Sequence, residues 1–492
     1  MEVRLKDIAA VIDGARIHGH EDVVISGIAY DSRQVKPGYL FAAVPGFKQD
    51  GRAFIGSAVE NGAVAVITES EEDISVPAIV VSSPRRALVD AAARFYDYPG
   101  QKLNICGVTG TNAKTTSVHL IAQMLKAAGV QCGMVSSLVY DSGLMKYKAE
   151  RTTPESSDLQ RLLHEMYEAA CSHGVIEVSS HALALNRVDH IDFKVGLFTT
   201  FSRDHLDFHH TMDEYLAVKR TFLDRLAGGD TCAVLNYDTP EFAAFAQDAK
   251  CPVLGYSIQG VEADVTAEES IMRSDLTEFV LNIRGELHRV CLHLPGRYNL
   301  SNAVGSAAAG LALGIDPEAM VAALEAATSV PGRFQPVVMG QPFAVILDYA
   351  HTPDAIIRLC QSAREITKGR LMILFGCGGD RDRGKRPLMG RAASENSDVV
   401  IVTSDNPRTE DPRQIIDDIL PGIPGDYNMI IPDRKEAIRE LVKMARPNDT
   451  LLVAGKGAED YQEIGTTREP FNDLDEVRSA LMALGHERET TP

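Results

Sequence analysis

At 492 residues the chain is too long for one hydrophobic core, so about two to four domains are expected. Lys and Arg total 49 against 68 Asp and Glu, and the resulting charge of −19 excludes non-specific binding to nucleic acid or anionic membrane as the main activity. Apolar residues at 45% describe an ordinary globular protein, and eight scattered cysteines without a C-x-x-C pair read as reduced thiols, not a disulfide frame or zinc site.

The opening Met1-Glu-Val-Arg-Leu-Lys-Asp7 has no signal-peptide core. The longest bland run, 303–314, is interrupted by Gly and Ser and falls short of the ~20 residues that a bilayer span needs. A cytoplasmic protein with no membrane span is therefore expected. Residues 1–98 mix short strands (23–28, 63–67, 78–81) with short helices, and Tyr98-Pro99-Gly100 reads as a linker. From 99 to 332 continuous apolar runs at 103–108, 175–178, 195–198 and 232–235 alternate with helical patterns, which predicts a mainly parallel sheet buried on both faces. After the punctuation Ser329-Val-Pro-Gly-Arg333 the pattern recurs at 344–347, 371–375, 399–403 and 450–454, a second α/β unit of Rossmann type over 333–492.

The most chemically explicit stretch is Gly107-Val-Thr-Gly110-Thr111-Asn112-Ala113-Lys114-Thr115-Thr116. It follows a strand and opens a helix, so its backbone N–H groups are aimed at an anion, with Lys114 to reach terminal phosphates. Thr115 or Thr116 can place a hydroxyl on Mg²⁺. Ala113 stands where such loops usually carry Gly. An alanine kept beside an intact Lys-Thr-Thr implies a backbone that an L side chain tolerates, so a helical conformation is expected ahead of positive φ. Glu177 ends an apolar strand and is placed to hold Mg²⁺, although a solvated loop glutamate explains it equally well. In Ser202-Arg-Asp204-His205-Leu-Asp207-Phe-His209-His210 a zinc reading competes with magnesium. Adjacent histidines are rarely both ligands, so His205 is read as a magnesium ligand and His209 and His210 as structural. Lys219 lies on the helical segment 212–226, where the ordinary position of a lysine is the solvated face. Arg333 suits phosphate oxygens, and Asp348, at a strand end, suits a ribose hydroxyl. The basic glycine-rich run 376–386 and Asp405-Asn406-Pro407-Arg408 together form a pocket for a carboxylate or phosphate.

Taken in order, these segments resemble the Mur ligase family of ATP-dependent amino-acid ligases. The resemblance is carried by TGTNAKTT at 109–116, EVSSHAL at 177–183, SRDHLDFH at 202–209, YNLSNA at 298–303, PGRF at 331–334, DYAHTPD at 348–354, GCGGDRDRGKRPLMG at 376–390 and AGKGAEDYQ at 454–462. It spans essentially the whole chain and includes DSRQVKPGYLFAAVPG at 31–46. It implies an α/β protein of three domains: an N-terminal nucleotide-sugar domain (1–98), a central P-loop-type ATPase domain (99–332) and a C-terminal Rossmann-like amino-acid domain (333–492).

By the same resemblance, ATP lies on Gly110, Thr111, Asn112, Ala113, Lys114, Thr115 and Thr116, with Asn302, Arg333, Asp348 and His351 nearby. Mg²⁺ is held by Thr115, Glu177 and His205, and Lys219 is carbamylated. Lys114, Glu177, His205 and Lys219 thus form the catalytic set. Ser32 contacts the uridine nucleotide, and Thr152, Thr153, Ser179 and Arg187 contact the muramoyl-dipeptide. Arg381, Asp405, Asn406, Pro407, Arg408, Gly455 and Glu459 form the amino-acid pocket. Besides Ala113, the chain departs from commoner family residues at Arg151, Thr200 and His210.

DNPR at 405–408 is the family's diaminopimelate signature, since an arginine fork pairs with that amino acid's second carboxylate. With L-lysine in the pocket, Arg408 would be buried without a partner. The implied reaction joins meso-diaminopimelate to UDP-N-acetylmuramoyl-L-alanyl-D-glutamate. The D-glutamate carboxylate takes the γ-phosphate of ATP, and an amine then displaces phosphate from the acyl phosphate. The alternatives are an L-lysine-adding sibling, a ligase resembling folylpolyglutamate synthase, and a non-catalytic nucleotide-binding regulator. The folylpolyglutamate-synthase-like reading would leave 31–46 unexplained, and Lys114, Glu177, His205 and Lys219 speak against the regulator.

Overall fold

The computed structural model describes residues 2–46, 50–72, 74–273, 276–424 and 428–486. The first unit is a five-stranded sheet in the order Arg16–His18, Ala78–Val80, Ala63–Thr68, Tyr39–Ala42, Gly27–Ala29; only the first pairing is antiparallel. Helix Pro84–Phe95 starts on a Ser83 cap with proline in its first turn and buries Ala87, Leu88, Ala91 and Phe95 against the sheet.

The central unit is an eleven-stranded sheet. Its six middle strands, Cys132–Val135, His173–Glu177, Asn104–Thr109, Phe193–Phe198, Cys232–Asn236 and Val253–Ser257, run parallel in that order. Antiparallel strands extend both margins: the hairpin Val139–Asp141 and Lys146–Lys148 on one side, Thr277–Ile283 and Glu286–Leu292 beyond Val265–Met272 on the other. These margins escape the apolar-run criterion because a half-exposed antiparallel strand alternates polar and apolar residues. Strand Asn104–Thr109 has later strands on both sides, so the sheet switches direction there and a crevice opens beyond its carboxyl end.

The third unit has six strands in the order Gln335–Pro336, Ala344–Asp348, Thr450–Ala454, Leu371–Phe375, Val399–Val402, Asn428–Ile430, parallel except for the first. Apolar clusters cover both of its faces. Among the described residues no helix is long and apolar enough to cross a membrane.

A fully buried ion pair ties this third unit together. Arg434 Nε and Nη2 each donate to Asp473 at 2.7 Å, and Nη2 also donates to Ala454 O at 2.9 Å. Helices Arg434–Lys443 and Asp473–Ala483 are thereby anchored to the strand end that precedes Gly455. Asp473→Asn leaves a buried guanidinium without its counter-charge and should cost about 3–5 kcal/mol in denaturant unfolding of the chain. The double change Arg434→Met, Asp473→Leu should recover most of that loss, and a single variant as stable as wild type would refute the assignment.

Candidate functional site

The anion loop is held from behind by the segment after the neighbouring strand. Thr111 N donates to Thr200 O at 2.7 Å, Asn112 N to Thr200 Oγ1 at 2.9 Å, and Thr199 Oγ1 to Asn112 O at 2.7 Å. Gly110, at φ +153°, permits this contact, because a Cβ there would fall 1.9 Å from Thr199 Oγ1. Helix Lys114–Ala127 then begins with no side-chain cap, leaving its first N–H groups to face the crevice. Ala113 stands at φ +74°, ψ −17°, in the left-handed region. The helical backbone expected for it is therefore overturned: the turn requires the geometry that glycine usually supplies, and alanine adopts it at about 1–2 kcal/mol. Lys114 Nζ donates to Gly110 O at 2.9 Å and Thr111 O at 2.8 Å. Burial lowers its pKa against the pull of the Glu177 and Asp204 carboxylates, and Arg333 lowers it further.

The candidate magnesium ligands follow three adjacent strands: Glu177 ends His173–Glu177, Thr115 lies in the helix after Asn104–Thr109, and His205 lies in the segment after Phe193–Phe198. Thr115 Oγ1 lies 2.8 Å from Ser137 Oγ, Ser137 N donates to Glu177 Oε1 at 2.7 Å, and Arg333 Nη2 donates to Thr115 Oγ1 at 3.2 Å. His205, at φ +55°, has Nε2 3.4 Å from Asp204 Oδ2, which is 3.8 Å from His351 Nε2. Burial pushes His205 down to about 3, with Asp204 opposing, so its ring is neutral and keeps a lone pair for a ligand. Burial alone would raise the Asp204 carboxyl, but His205, His351 and Lys385 outweigh it and hold it below the usual range. Among the described residues no three His, Cys, Asp or Glu side chains gather at metal-binding distance. A hydroxyl, a carboxylate and one neutral imidazole fit Mg²⁺, which keeps much of its water, better than zinc. His209 is buried, bonded to Ser180 Oγ at 2.9 Å and stacked on Tyr215, whereas His210 is exposed.

Lys219 corrects the solvated-face reading. It is 1% exposed on helix Met212–Asp224, with Nζ 4.6 Å over the Tyr215 ring. Burial first, and Lys114 second, lower its pKa well below the ordinary lysine value, and Asp204 only partly opposes them.

A crevice of about 570 Å³ joins the central unit to the third; it is lined in part by Thr152, Thr153, Ser179, Arg187, His205 and Arg381. Thr153 Oγ1 donates to Glu177 O at 2.6 Å, and Arg187 is fixed by Thr153 O and Glu155. The crevice therefore brings together residues expected for the metal, for the muramoyl-dipeptide and for the amino acid. Arg203 reaches Asp382 across the same junction at 3.3 Å.

Deeper in the third unit, Asn406 is engaged at both ends of its side-chain amide. Its Oδ1 accepts from Lys456 Nζ and Glu463 N, each at 2.9 Å, and its Nδ2 donates to Glu459 Oε2 at 2.8 Å. Asp405 is buried, which raises its pKa, but Lys456 and Arg434 outweigh that and keep it ionised. Gly455, at φ +115°, lets the chain pass, since a Cβ would lie 2.5 Å from Asp405 Oδ2. The carbonyl of Pro407 packs on Gly379. Arg408, expected to lack a partner if L-lysine filled the pocket, has resident ones: its Nε donates to Glu463 Oε2 at 3.1 Å and its Nη1 to Gly379 O at 2.8 Å. Lys456, 0% exposed, and Glu463 were missed, because nothing in their local sequence signals contacts made 50 or more residues away.

A small cavity of about 80 Å³ brings together Asn112, Ala113, Thr116, Asn302, Arg333 and Asp348. Arg333 lies 4.5 Å over the Tyr349 ring. Asp348 already accepts from Phe334 N at 2.7 Å and Ala350 N at 2.8 Å, and burial raises its pKa against Arg333. His351 lies outside this cavity, on the Asp204 side. Between the first two units is a larger cavity of about 780 Å³, lined by Tyr30, Tyr39, Tyr96 and Tyr147 together with Lys36, Lys146 and Arg161. Ser32 is buried close by but is not part of its lining.

Comparison with known proteins accounts for this arrangement. Residues 24–96 match the model described as Mur ligase family, catalytic domain; 108–310 match the Mur ligase middle domain; and 332–457 match the Mur ligase, glutamate ligase domain. A UDP-N-acetylmuramoyl-L-alanyl-D-glutamate–2,6-diaminopimelate ligase of Clostridium tetani is 38% identical over 98% of this chain and 100% of its own. One from Syntrophomonas wolfei is 42% identical over 92% of this chain and 94% of its own. A solved structure of a ligase with that same name is 32% identical, covers 99% of this chain and 100% of its own, and superimposes with a TM-score of 0.66. The chain belongs to the Mur ligase family.

Proposed function

We propose that the protein is an ATP-dependent ligase that adds meso-diaminopimelate to UDP-N-acetylmuramoyl-L-alanyl-D-glutamate through an acyl phosphate. The observation that carries this reading is the crevice in which Thr152, Thr153, Ser179 and Arg187 share one lining with His205 and Arg381. Full-length relatives bearing that activity in their names support it. We take the domain limits as 1–98, 99–332 and 333–492, each enclosing one of the three large sheets. The tyrosines and cations of the 780 Å³ cavity beside Ser32 suit the base and phosphates of a uridine diphosphate. Eight free cysteines favour a cytoplasmic setting.

The first step brings a carboxylate onto a triphosphate, so charge must be offset where it develops. Lys114, Arg333 and the helix N-terminus at Ala113 supply positive potential from the protein. Thr115, Glu177 and the neutral His205 would hold Mg²⁺, which when bound would supply positive charge to offset the phosphates. Burial disfavours the Lys219 ammonium, and a free lysine amine adds CO₂ with loss of a proton to solvent; the resulting carbamate would place a negative group beside Lys114. Arg381, Arg408 and Glu459 orient the incoming amino acid.

Phosphate release from ATP should require the muramoyl-dipeptide and an amino acid together, with diaminopimelate used in preference to lysine. Preference for lysine would make the protein the sibling ligase, and no release with either would make it a nucleotide-binding regulator.

Three substitutions test individual roles. Arg408→Lys should raise the KM for diaminopimelate about tenfold or more and leave that for ATP unchanged, because a point charge cannot replace the planar fork. An equal loss for ATP would place Arg408 elsewhere. Lys219→Ala should lower kcat at least about a hundredfold with an unchanged unfolding profile, in line with loss of an electrostatic group at the reacting centre. Near-normal turnover would remove the residue from the catalytic set. Ala113→Gly should raise unfolding stability by about 1 kcal/mol by relieving the left-handed alanine, whereas a less stable variant would show a helical backbone at that position.

A further inference from the structure

Arg408 and Glu463 are paired through both side chain and main chain. Besides the 3.1 Å Nε–Oε2 contact, Arg408 N donates to Glu463 O at 3.0 Å and Gly465 N donates to Arg408 O at 2.7 Å. Glu463 N in turn donates to Asn406 Oδ1 at 2.9 Å, so the strand Tyr461–Ile464 is docked on the 405–408 loop. Cross-strand from Glu463 stands Arg468, whose guanidinium lies 4.3 Å over Tyr461, leaving Arg408 as the ion-pair partner of Glu463. Both paired side chains keep access to solvent, at 18% and 24% exposure. Arg381 is a neighbour at Gly378, where a Cβ would meet Arg408 Nη1 at 3.0 Å and Arg381 Cγ at 3.9 Å.

A resident carboxylate is a poor companion for an arginine that has only to capture a free carboxylate, since two anions then compete for one guanidinium. It suits a ligand end that carries both charges. With Nε on Glu463 and one Nη1 proton on Gly379 O, Arg408 retains its Nη2 donors for an incoming carboxylate. Glu463 retains the acceptor capacity of its second oxygen for an ammonium attached to the same carbon.

We infer that Glu463 is a specificity-determining residue: with Arg408 it recognises the distal head of the amino-acid substrate as a zwitterion, its carboxylate accepting from the distal ammonium. This rests on the proposed use of diaminopimelate and names the group that distinguishes it from a simple dicarboxylate.

The test compares meso-diaminopimelate with L-2-aminopimelate, which has the distal carboxylate but no distal amine, in wild type, Glu463→Gln and Glu463→Asp. Wild type should prefer diaminopimelate. Glu463→Gln should lower kcat/KM for diaminopimelate about tenfold, chiefly through KM, while the value for aminopimelate changes far less, so that discrimination collapses. Glu463→Asp, which keeps the charge on a shorter arm, should retain part of the preference. An equal fall for both substrates would reduce Glu463 to a prop for Arg408 and overturn the inference, as would no change for either. If wild type uses lysine and not diaminopimelate, the proposed function fails with it; if wild type uses diaminopimelate and discrimination is unmoved, only the inference fails.

Discussion

Buried positive charge is the constraint around which the site is organised. In a chain of net charge −19, the Lys114 ammonium and the Arg333 guanidinium lie at the phosphate loop, and the Lys219 amine is buried near Lys114, burial disfavouring the charged form of both lysines. Such a cluster is costly by itself and becomes favourable when anions enter it. Nearly every local feature follows from that. The loop from Gly110 to Ala113 takes left-handed and extended geometries to aim N–H groups at the same space, and Thr199 and Thr200 brace it from behind. Glu177 and Asp204 are the fixed carboxylates that keep the cluster from being wholly unbalanced.

The third unit applies the opposite design, with its charges already paired. Arg434 with Asp473, Lys456 with Glu459 and Arg408 with Glu463 form a rigid network whose few remaining donors are directional. A pre-organised pocket of this kind selects by leaving wrong ligands with unmatched groups. The first crevice, by contrast, binds through charge that becomes useful when phosphate arrives. Arg203 to Asp382 and Arg333 to Thr115 join the third unit to the central one.

How much of this was legible in the sequence depended on whether a residue's role is set locally. The phosphate loop, the strand-end Glu177 and the DNPR turn follow from contiguous pattern, and the parallel core follows from its apolar runs. Lys219 did not: its helix reads as amphipathic, and only packing on Tyr215 and beneath the loop buries it. The positive φ of Ala113 was hidden because alanine is an ordinary helix residue and the strain comes from the turn. Asp473 lies 39 residues from Arg434, and Glu463 lies 55 from Arg408, separations at which charge pairing leaves no periodic trace. The antiparallel margins of the central sheet were missed for a related reason, since their alternation is short and partly exposed.

A Lys219 amine whose charged form is disfavoured by burial can take up CO₂, with loss of a proton, and so supply an anion beside Lys114. Equilibrating the protein with ¹³C-labelled bicarbonate and recording ¹³C spectra tests this directly. A carbamate carbon resonance that is present in the wild-type protein and missing from Lys219→Ala is the expected result. A wild-type protein that turns over substrate while showing no such resonance would contradict it.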